Sequence, residues 1–397
     1  MNERVKSYIL ESFREKYHRA GKRAKGDILE EVCELLGCHR KHAVRVMSKR
    51  ASGRKSGCSK RGPKPKYDNP EFRQALHRVR KVMEFRNAEV IKENIPEWLP
   101  FIESHYGEFK PEIREKLLAV SISTMKRLLK RMREQAGKGL STTRPGSILR
   151  TEIPIRVESF SNEAVPGFMA LDTVAHCGSS TEGQYVFSLD SVCPVTHWTA
   201  QRALWGKGAA GTLAQTQDIE SSLPFPLMGL HVDNGTEFIN HHYKRAYLDI
   251  KSRNNFYFTR SRAYHKNDNA HVEQKNWSVV RRYFGYDRLH VQELVPMMNE
   301  LYKNELNLYL NHFCRTFKLE QKIAIKSRYK RIYGTPKTPY QRVLESEHVS
   351  DETKKRLIKE HKKLDPVKLR LKIEQKLKNI FATYKRTLKA RASSSAA

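Results

Sequence analysis

The chain has 397 residues, 39% of them hydrophobic, and its 75 Lys and Arg against 43 Asp and Glu give a formal net charge of +32. That length leaves room for two to four domains with at least one full core, and it excludes collagen, small disulfide scaffolds and wholly disordered chains. No apolar run approaches the ~20 residues of a membrane span, the start MNERVKSYIL lacks a signal-peptide core, and the six cysteines are sparse, so a soluble cytoplasmic protein with free thiols and a polyanionic partner is expected.

The charge is unevenly placed. Residues 1–150 carry 36 basic and 18 acidic side chains, 151–290 carry 14 of each, and 291–397 carry 25 and 11. A formally neutral block between two basic arms suggests a chemical module held between segments that grip nucleic acid.

In chain order, Asp27 and Glu30 suggest a capping box for a helix that buries Ile28, Leu29, Val32, Leu35 and Leu36 and stops at Gly37. A second short helix follows, expected to bury Ala43, Val44 and Met47 and to turn Arg40, Lys41 and Arg45 outward. Two helices about a Gly turn, the second basic, read as a helix-turn-helix, and an ordinary helical hairpin carries the same pattern. Residues 1–50 are therefore taken as a first DNA-binding unit, followed by a basic Gly/Pro linker over 51–67. Cys33, Cys38, His39 and His42 invite a zinc site, but their spacing fits no familiar finger and Cys33 falls on the apolar stripe.

Residues 68–136 form a second helical DNA-binding unit. Within it, Ile113, Leu117 and Leu118 precede a break near Val120, and Ser123 caps a helix burying Met125, Leu128, Leu129 and Met132 while Lys126, Arg127 and Lys130 line its other side. A linker spans 137–157.

In the neutral block, 158–290, the runs GFMALDTVA, QYVFSLDSV and THWTAQRAL predict three strands in an antiparallel meander. GKGAAG then opens a helix. It is a literal dinucleotide fingerprint, but the strands before it are hairpin-linked, so a plain strand-to-helix turn is the alternative. The strand PLMGLHV ends at Asp233. A later helix, capped by Asp268 or Asn269, places Glu273 on one face with Trp277, Val280 and Phe284.

The C-terminal arm begins with a helical post-core region, 291–346, whose Met297, Met298, Leu301 and Leu308 read as core. In the basic C-terminal helix and tail, 347–397, Asp365 and Pro366 mark a cap. Leu369, Ile373, Leu377, Phe381 and Tyr384 share one face, Lys368, Lys372, Lys376 and Lys378 the rest, and ARASSSAA reads as a disordered tail.

Asp172 inside an apolar strand, Asp233 at a strand end and Glu273 on a helix would form a compact acidic cluster. In a DNA-binding protein such a cluster suits hard divalent cations, two Mg2+ with Mn2+ as a substitute. Asp190 competes with Asp172, since it too ends an apolar strand, and Glu237 reads as a supporting group or helix cap.

FMALDTV, HVDNGTEF and YHKNDNAHVEQKN, in this order, resemble the catalytic core of DDE transposases and retroviral integrases. The resemblance covers about 150–290 and extends to KTPYQRVLES near 337–346. It implies an RNase H-like α/β core of mixed sheet and flanking helices, with all-α helix-turn-helix domains before it as in bacterial insertion-sequence transposases. It also implies Asp172, Asp233 and Glu273 as catalytic metal ligands, favouring Asp172 over Asp190. Asn234 and Gly235 would shape the turn, while Tyr264, His265, Lys266 and Asn269 would lie before the Glu helix. Lys275 and Arg282 on the other side of that helix would contact DNA backbone. Ala270 and His271 depart from the Gly-containing stretch many relatives show, and no HHCC zinc module is present. The implied activity is hydrolysis of a phosphodiester to expose a 3′-OH and its transfer to target DNA, by a homo-oligomer on double-stranded DNA in the nucleoid-associated cytoplasm. The rivals are a non-catalytic DNA-binding regulator and a nuclease without strand transfer.

Overall fold

The computed structural model of the chain describes residues 3–48, 67, 69–84, 87–129, 165–250, 256–261, 275–325 and 328–395. Its contacts divide it into two units, Met1–Pro65 and Lys66–Ala397. Among the described residues, no helix is long and apolar enough to cross a membrane.

The first unit holds α1 (Glu3–Arg19), α2 (Lys22–Leu36) and α3 (Arg40–Met47). Leu29, Val32, Ala43 and Met47 form its core, flanked by Leu10, Phe13 and Tyr17. α2 starts earlier than the Asp27 cap predicts: Gly21 is the N-cap and makes no side-chain bond. The reason is that Lys22, Arg23 and Ala24 are good helix formers and extend the helix upstream. At its other end Gly37 takes φ +59, where its N–H reaches Cys33 O, so here glycine serves a left-handed cap. In α3, Ala43 and Met47 are buried one turn apart, whereas Val44 is 39% exposed, against expectation. Val46 packs against the small core in its place.

The second unit opens with α4 (Pro70–Met83), α5 (Ala88–Tyr106), α6 (Pro111–Ala119) and α7 (Ile122–Leu129). Asn69 and Asn87 cap α4 and α5 by accepting from Glu71 N and Glu89 N. Ahead of α7 it is Ser121, not Ser123, whose Oγ accepts from a helix N–H, that of Thr124. Met125 and Leu129 are buried as expected, and Leu118 is 36% exposed.

Next come β1 (Phe168–Ala175), β2 (Val186–Val192), β3 (Thr199–Trp205), α8 (Ala209–Ser222), β4 (Gly229–Val232) and β5 (Tyr257–Arg260). They form one mixed sheet in the order β3-β2-β1-β4-β5. The first three strands are antiparallel, as their short connections dictate, and β4 and β5 run parallel to β1 and to each other. The glycines of GKGAAG serve the turn into α8. Gly206 has φ +68, Gly208 is the N-cap, and a Cβ on any of the three would meet nothing within 4 Å, so no group presses close against this loop.

Both faces of the sheet are covered. Met169, Leu171, Ala175, Phe187, Leu189, Leu230 and Val232 pack with Ile219 of α8 and with Tyr243 and Tyr247. On the opposite face, Val174, Val186 and Ala203 join a larger core shared by α4–α7, by the helical run Leu294–Phe313 and by the C-terminal helix Pro366–Ser395. Residues 282–313 bury Phe284, Met298, Leu301, Tyr302 and Tyr309 there.

Two elements depart from the sequence reading. Between Phe313 and Pro339 the chain forms an antiparallel ribbon, β6 (Leu319–Ile325) and β7 (Arg328–Tyr333), in a region expected to be helical. The last helix continues through Ser395 where a tail was expected, since the Ala residues of that stretch favour helix. Its cap is as predicted: Asp365 Oδ1 accepts from Val367 N at 2.8 Å and Lys368 N at 3.0 Å. Leu369 and Ile373 are buried, with Leu377, Phe381 and Tyr384 packed beside them.

Candidate active site

Strand alternation decides which acids can meet. In β1, Met169 and Leu171 point to one core, so Asp172 points to the other face. Asp190 lies directly across from Asp172 in the β1–β2 register and therefore shares that face. Asp233 follows Val232, which packs into the α8 core, and thus projects to the Asp172 side.

The two candidates for the first acid have different surroundings. Asp190 is wholly buried and bonded within the sheet: Gln201 Nε2 donates to its Oδ1 at 2.8 Å and Thr199 Oγ1 at 3.4 Å. Burial pushes its carboxyl up to about 7, opposed by the Gln201 bond and by the charge of Lys275. Asp172 is half-buried. Burial and then the charge of Asp233 push it well above the ordinary carboxylate range, against hydrogen bonds from Asn276 and Thr173. Asn276 Nδ2 donates to Asp172 Oδ2 at 2.7 Å, and Thr173 N to Oδ1 at 2.8 Å. The acid beside Asp233 is thus Asp172, and Asp190 belongs to a buried polar layer behind it.

Asp233 is held by its own turn. Gly235 N donates to Asp233 Oδ1 at 2.9 Å. Asn234 ties the turn to the end of β5, donating to Ser261 O at 2.8 Å and accepting from Arg260 Nη1 at 2.9 Å. A Cβ on Gly235 would come within 2.5 Å of Glu237 Oε2 and 2.9 Å of Asp233 Oδ1, so any side chain there would displace these carboxylates. Glu237 is 1% exposed. It caps no helix; Thr173 Oγ1 donates to its Oε1 at 2.9 Å, and Lys207 of the GKGAAG turn lies 3.5 Å from both of its oxygens.

The other predicted positions fall as follows. Glu273, Lys130 and Lys266 lie outside the described residues, as do Met132, Tyr264, His265, Asp268 and Asn269. Lys275 is half-buried near Asp190; burial lowers its amine to about 8, and Asp190 opposes that shift. Arg282 donates to Glu84 O at 2.8 Å and pairs with Glu84 Oε2 at 3.2 Å. Arg282, expected on an outward DNA-facing side, is instead engaged inside the unit by Glu84, the residue that caps the end of α4. Val280 and Phe284 are buried as foreseen, but Trp277 is 38% exposed and Val279 is buried. Residues Asn276–Arg281 wind as a π-helix, whose wider turn carries Trp277 off the stripe. Arg40, Lys41 and Arg45 are exposed on α3, with Arg40 bonded to Glu30 at 3.0 Å. Lys126 and Arg127 are exposed on α7, where Lys126 pairs with Glu89.

Sequence reasoning passed over Asn276, Thr173 and Lys207. Asn276 and Thr173 lie inside the quoted motifs, but only the packed structure brings Asn276 to Asp172 and Thr173 Oγ1 to Glu237. Among the described residues, no three His, Cys, Asp or Glu gather in a metal-binding group. Asp172 and Asp233 nevertheless fit a cation: one partly buried carboxylate is raised by another's charge, and a positive ion between them would relieve both desolvation and repulsion.

Fold and site together define a mixed α/β protein with carboxylates gathered on one face of a five-stranded sheet. No protein-family profile matches the chain. It belongs to the same family as the uncharacterized protein y4rM of Sinorhizobium fredii (strain NBRC 101917 / NGR234), with which it is 35% identical over 341 residues, covering 85% of this chain and 95% of that protein. Among solved structures it is similar to the catalytic core domain of BIV integrase, at 18% identity and a TM-score of 0.29, covering 46% of this chain and 96% of that one.

Proposed function

We propose that the protein is a DDE-type DNA transposase or integrase that cleaves a phosphodiester and joins the freed 3′-OH to target DNA. The observation that carries this reading is the meeting of Asp172 and Asp233 on one sheet face, with Asp172 held by Asn276 of the motif YHKNDNAHVEQKN. Glu273, three positions before Asn276 in the chain, is assigned as the third acid. The strand order, three antiparallel strands followed by two parallel to the first, supports an RNase H-like core.

Asp172, Asp233 and Glu273 are the groups that would hold divalent ions, Mg2+ by the hardness of their oxygens. When bound, such ions supply charge neutralisation at the attacked phosphate and at its leaving oxygen. Asn276 and Thr173 fix both oxygens of Asp172, and the Gly235 N–H and the Asn234 ties fix Asp233, so the carboxylates are oriented before DNA arrives. α2–α3 in the first unit and α6–α7 in the second are assigned to recognition of element ends. Their exposed Arg40, Lys41, Arg45, Lys126 and Arg127 are assigned to phosphate contact, with Lys130 and Lys266 as further contacts.

The test is cleavage and strand transfer on linear duplex with purified protein. Asp233→Asn and Glu273→Gln should each lower both steps by a factor of ~100 or more while duplex binding persists, and chelator should abolish both. Activity that survives either substitution overturns the assignment. Cleavage without joining of a pre-cut 3′-OH end would identify a nuclease instead.

A further inference from the structure

The β6–β7 ribbon is set apart from the rest of the fold. Leu319, Glu320, Gln321, Ile323 and Ala324 on β6 and Lys330, Arg331 and Tyr333 on β7 are all exposed. In an antiparallel pair neighbouring residues alternate between faces, so exposure at consecutive positions means that both faces are open to solvent. A two-stranded ribbon alone is at best marginally stable, and Leu319, Ile323 and Tyr333 remain 43%, 43% and 51% exposed. An element that spends apolar surface in this way is suited to contact something else.

Its base, by contrast, is firmly mounted. Thr316 and Lys337 pair as an isolated antiparallel bridge, and Gly334 N donates to Lys318 O at 3.1 Å. Buried Arg342 clamps both sides of this stalk: Nη1 donates to Thr316 Oγ1 at 2.8 Å and Lys337 O at 2.9 Å, and Nη2 donates to Thr316 O at 2.5 Å. His197, held at φ +61 in the turn between β2 and β3, shares a hydrogen bond with Thr316 Oγ1 at 2.8 Å. By its described residues the ribbon is therefore an exposed arm on a stalk fixed to the end of the sheet.

Its charge selects the occupant. From Lys318 to Arg331 the sequence carries Lys318, Lys322, Lys326, Arg328, Lys330 and Arg331 against the single acid Glu320. We propose that this ribbon is a DNA-gripping arm that lies along a groove of double-stranded DNA. A two-stranded ribbon fits the major groove, about 12 Å wide, and the basic residues neutralise the phosphates on its walls while Ile323 and Tyr333 offer apolar contact. The inference rests on the DNA-processing reading above for its partner, and it places that partner on a surface that the acid site does not include.

Duplex binding by the full chain, in EDTA and between 50 and 200 mM salt, tests the arm without requiring chemistry. The variant with Lys322, Lys326, Lys330 and Arg331 all changed to Ala should bind about tenfold or more weakly. Its log–log salt slope should flatten by about 3.6 when all four contact phosphate, at ~0.9 for each phosphate no longer neutralised. Gln321→Lys, on the exposed ribbon, should tighten binding and steepen the slope by about 0.9, a gain that misfolding cannot mimic. If the wild type binds duplex and both variants match it in affinity and slope, the arm is overturned while the DNA-processing reading stands. A wild type that fails to bind duplex overturns both. Loss of self-association in sedimentation by the quadruple variant, with DNA binding intact, would make the ribbon a protein-docking arm and overturn the inference.

Discussion

Asp172 carries an electrostatic load that a bound cation would relieve. Its carboxyl is raised in the folded chain, so the cation-free protein loses stability as pH rises from the ordinary carboxylate range through the raised value. Asp172→Asn removes that loss. The new amide retains an acceptor for Thr173 N, and its NH2 can donate to Asn276 Oδ1, which is buried without a partner among the described residues, once the Asn276 amide turns over. In EDTA at neutral pH the variant should melt above wild type. Added Mg2+ or Mn2+ should stabilise wild type, by about 2.7 kcal/mol at one hundred times Kd, and leave Asp172→Asn unmoved. A cation shift of equal size in both proteins would dissociate Asp172 from the metal site. At this scale the sequence exposed which residues were acidic and strand-borne. It did not separate Asp172 from Asp190, because both follow the same apolar pattern and share one face in the register; only their surroundings, Asp233 and Asn276 about Asp172 and Gln201 and Lys275 about Asp190, distinguish them.

At the scale of elements, caps and alternation were legible. The three strands of the meander, the stop at Gly37 and the cap at Asp365 each follow from local chemistry. Asp365 also meets His105 Nε2 at 2.8 Å, tying the C-terminal helix to the end of α5. Asp365→Ala should therefore cost about 1 kcal/mol or more in urea unfolding of the Lys66–Ala397 unit, while Asp365→Asn retains most of the cap. Equal stability of wild type and the Ala variant would show the helix end to be held elsewhere. The ribbon was not legible, since its alternating Lys, Arg and Ile residues resemble any basic arm. What makes it a hairpin is the stalk, and the stalk depends on Arg342 and His197, 26 and 119 positions from Thr316. The π-helical winding of Asn276–Arg281 was hidden for a related reason: a 3.6-residue stripe assumes the geometry that this segment abandons.

At the scale of the whole molecule, the chain is two units, and the smaller keeps a core of its own around Leu29, Val32, Ala43 and Met47. So small a core gives little stability. Calorimetry of the full chain should show a weak, lower-temperature transition that disappears when Met1–Pro65 is removed, with the main transition unmoved. The shortened protein should also bind duplex with a flatter salt dependence. A shift of the main transition on removal would show that the units stabilise one another.

By itself the sequence determined the charge division, the stop of α2 at Gly37 and the start of the C-terminal helix at Asp365, the alternation that buries one side of each strand, and the motifs that bear the acids. These are properties of short stretches and of composition. Tertiary structure alone decided that Asp172 rather than Asp190 stands beside Asp233, that Asn276 and Thr173 orient it, and that Arg282 turns inward to Glu84. It also decided that a basic segment pairs as an antiparallel ribbon on a clamped stalk. Each of these depends on partners tens to hundreds of positions away, whose registers are set by packing the two faces of one sheet.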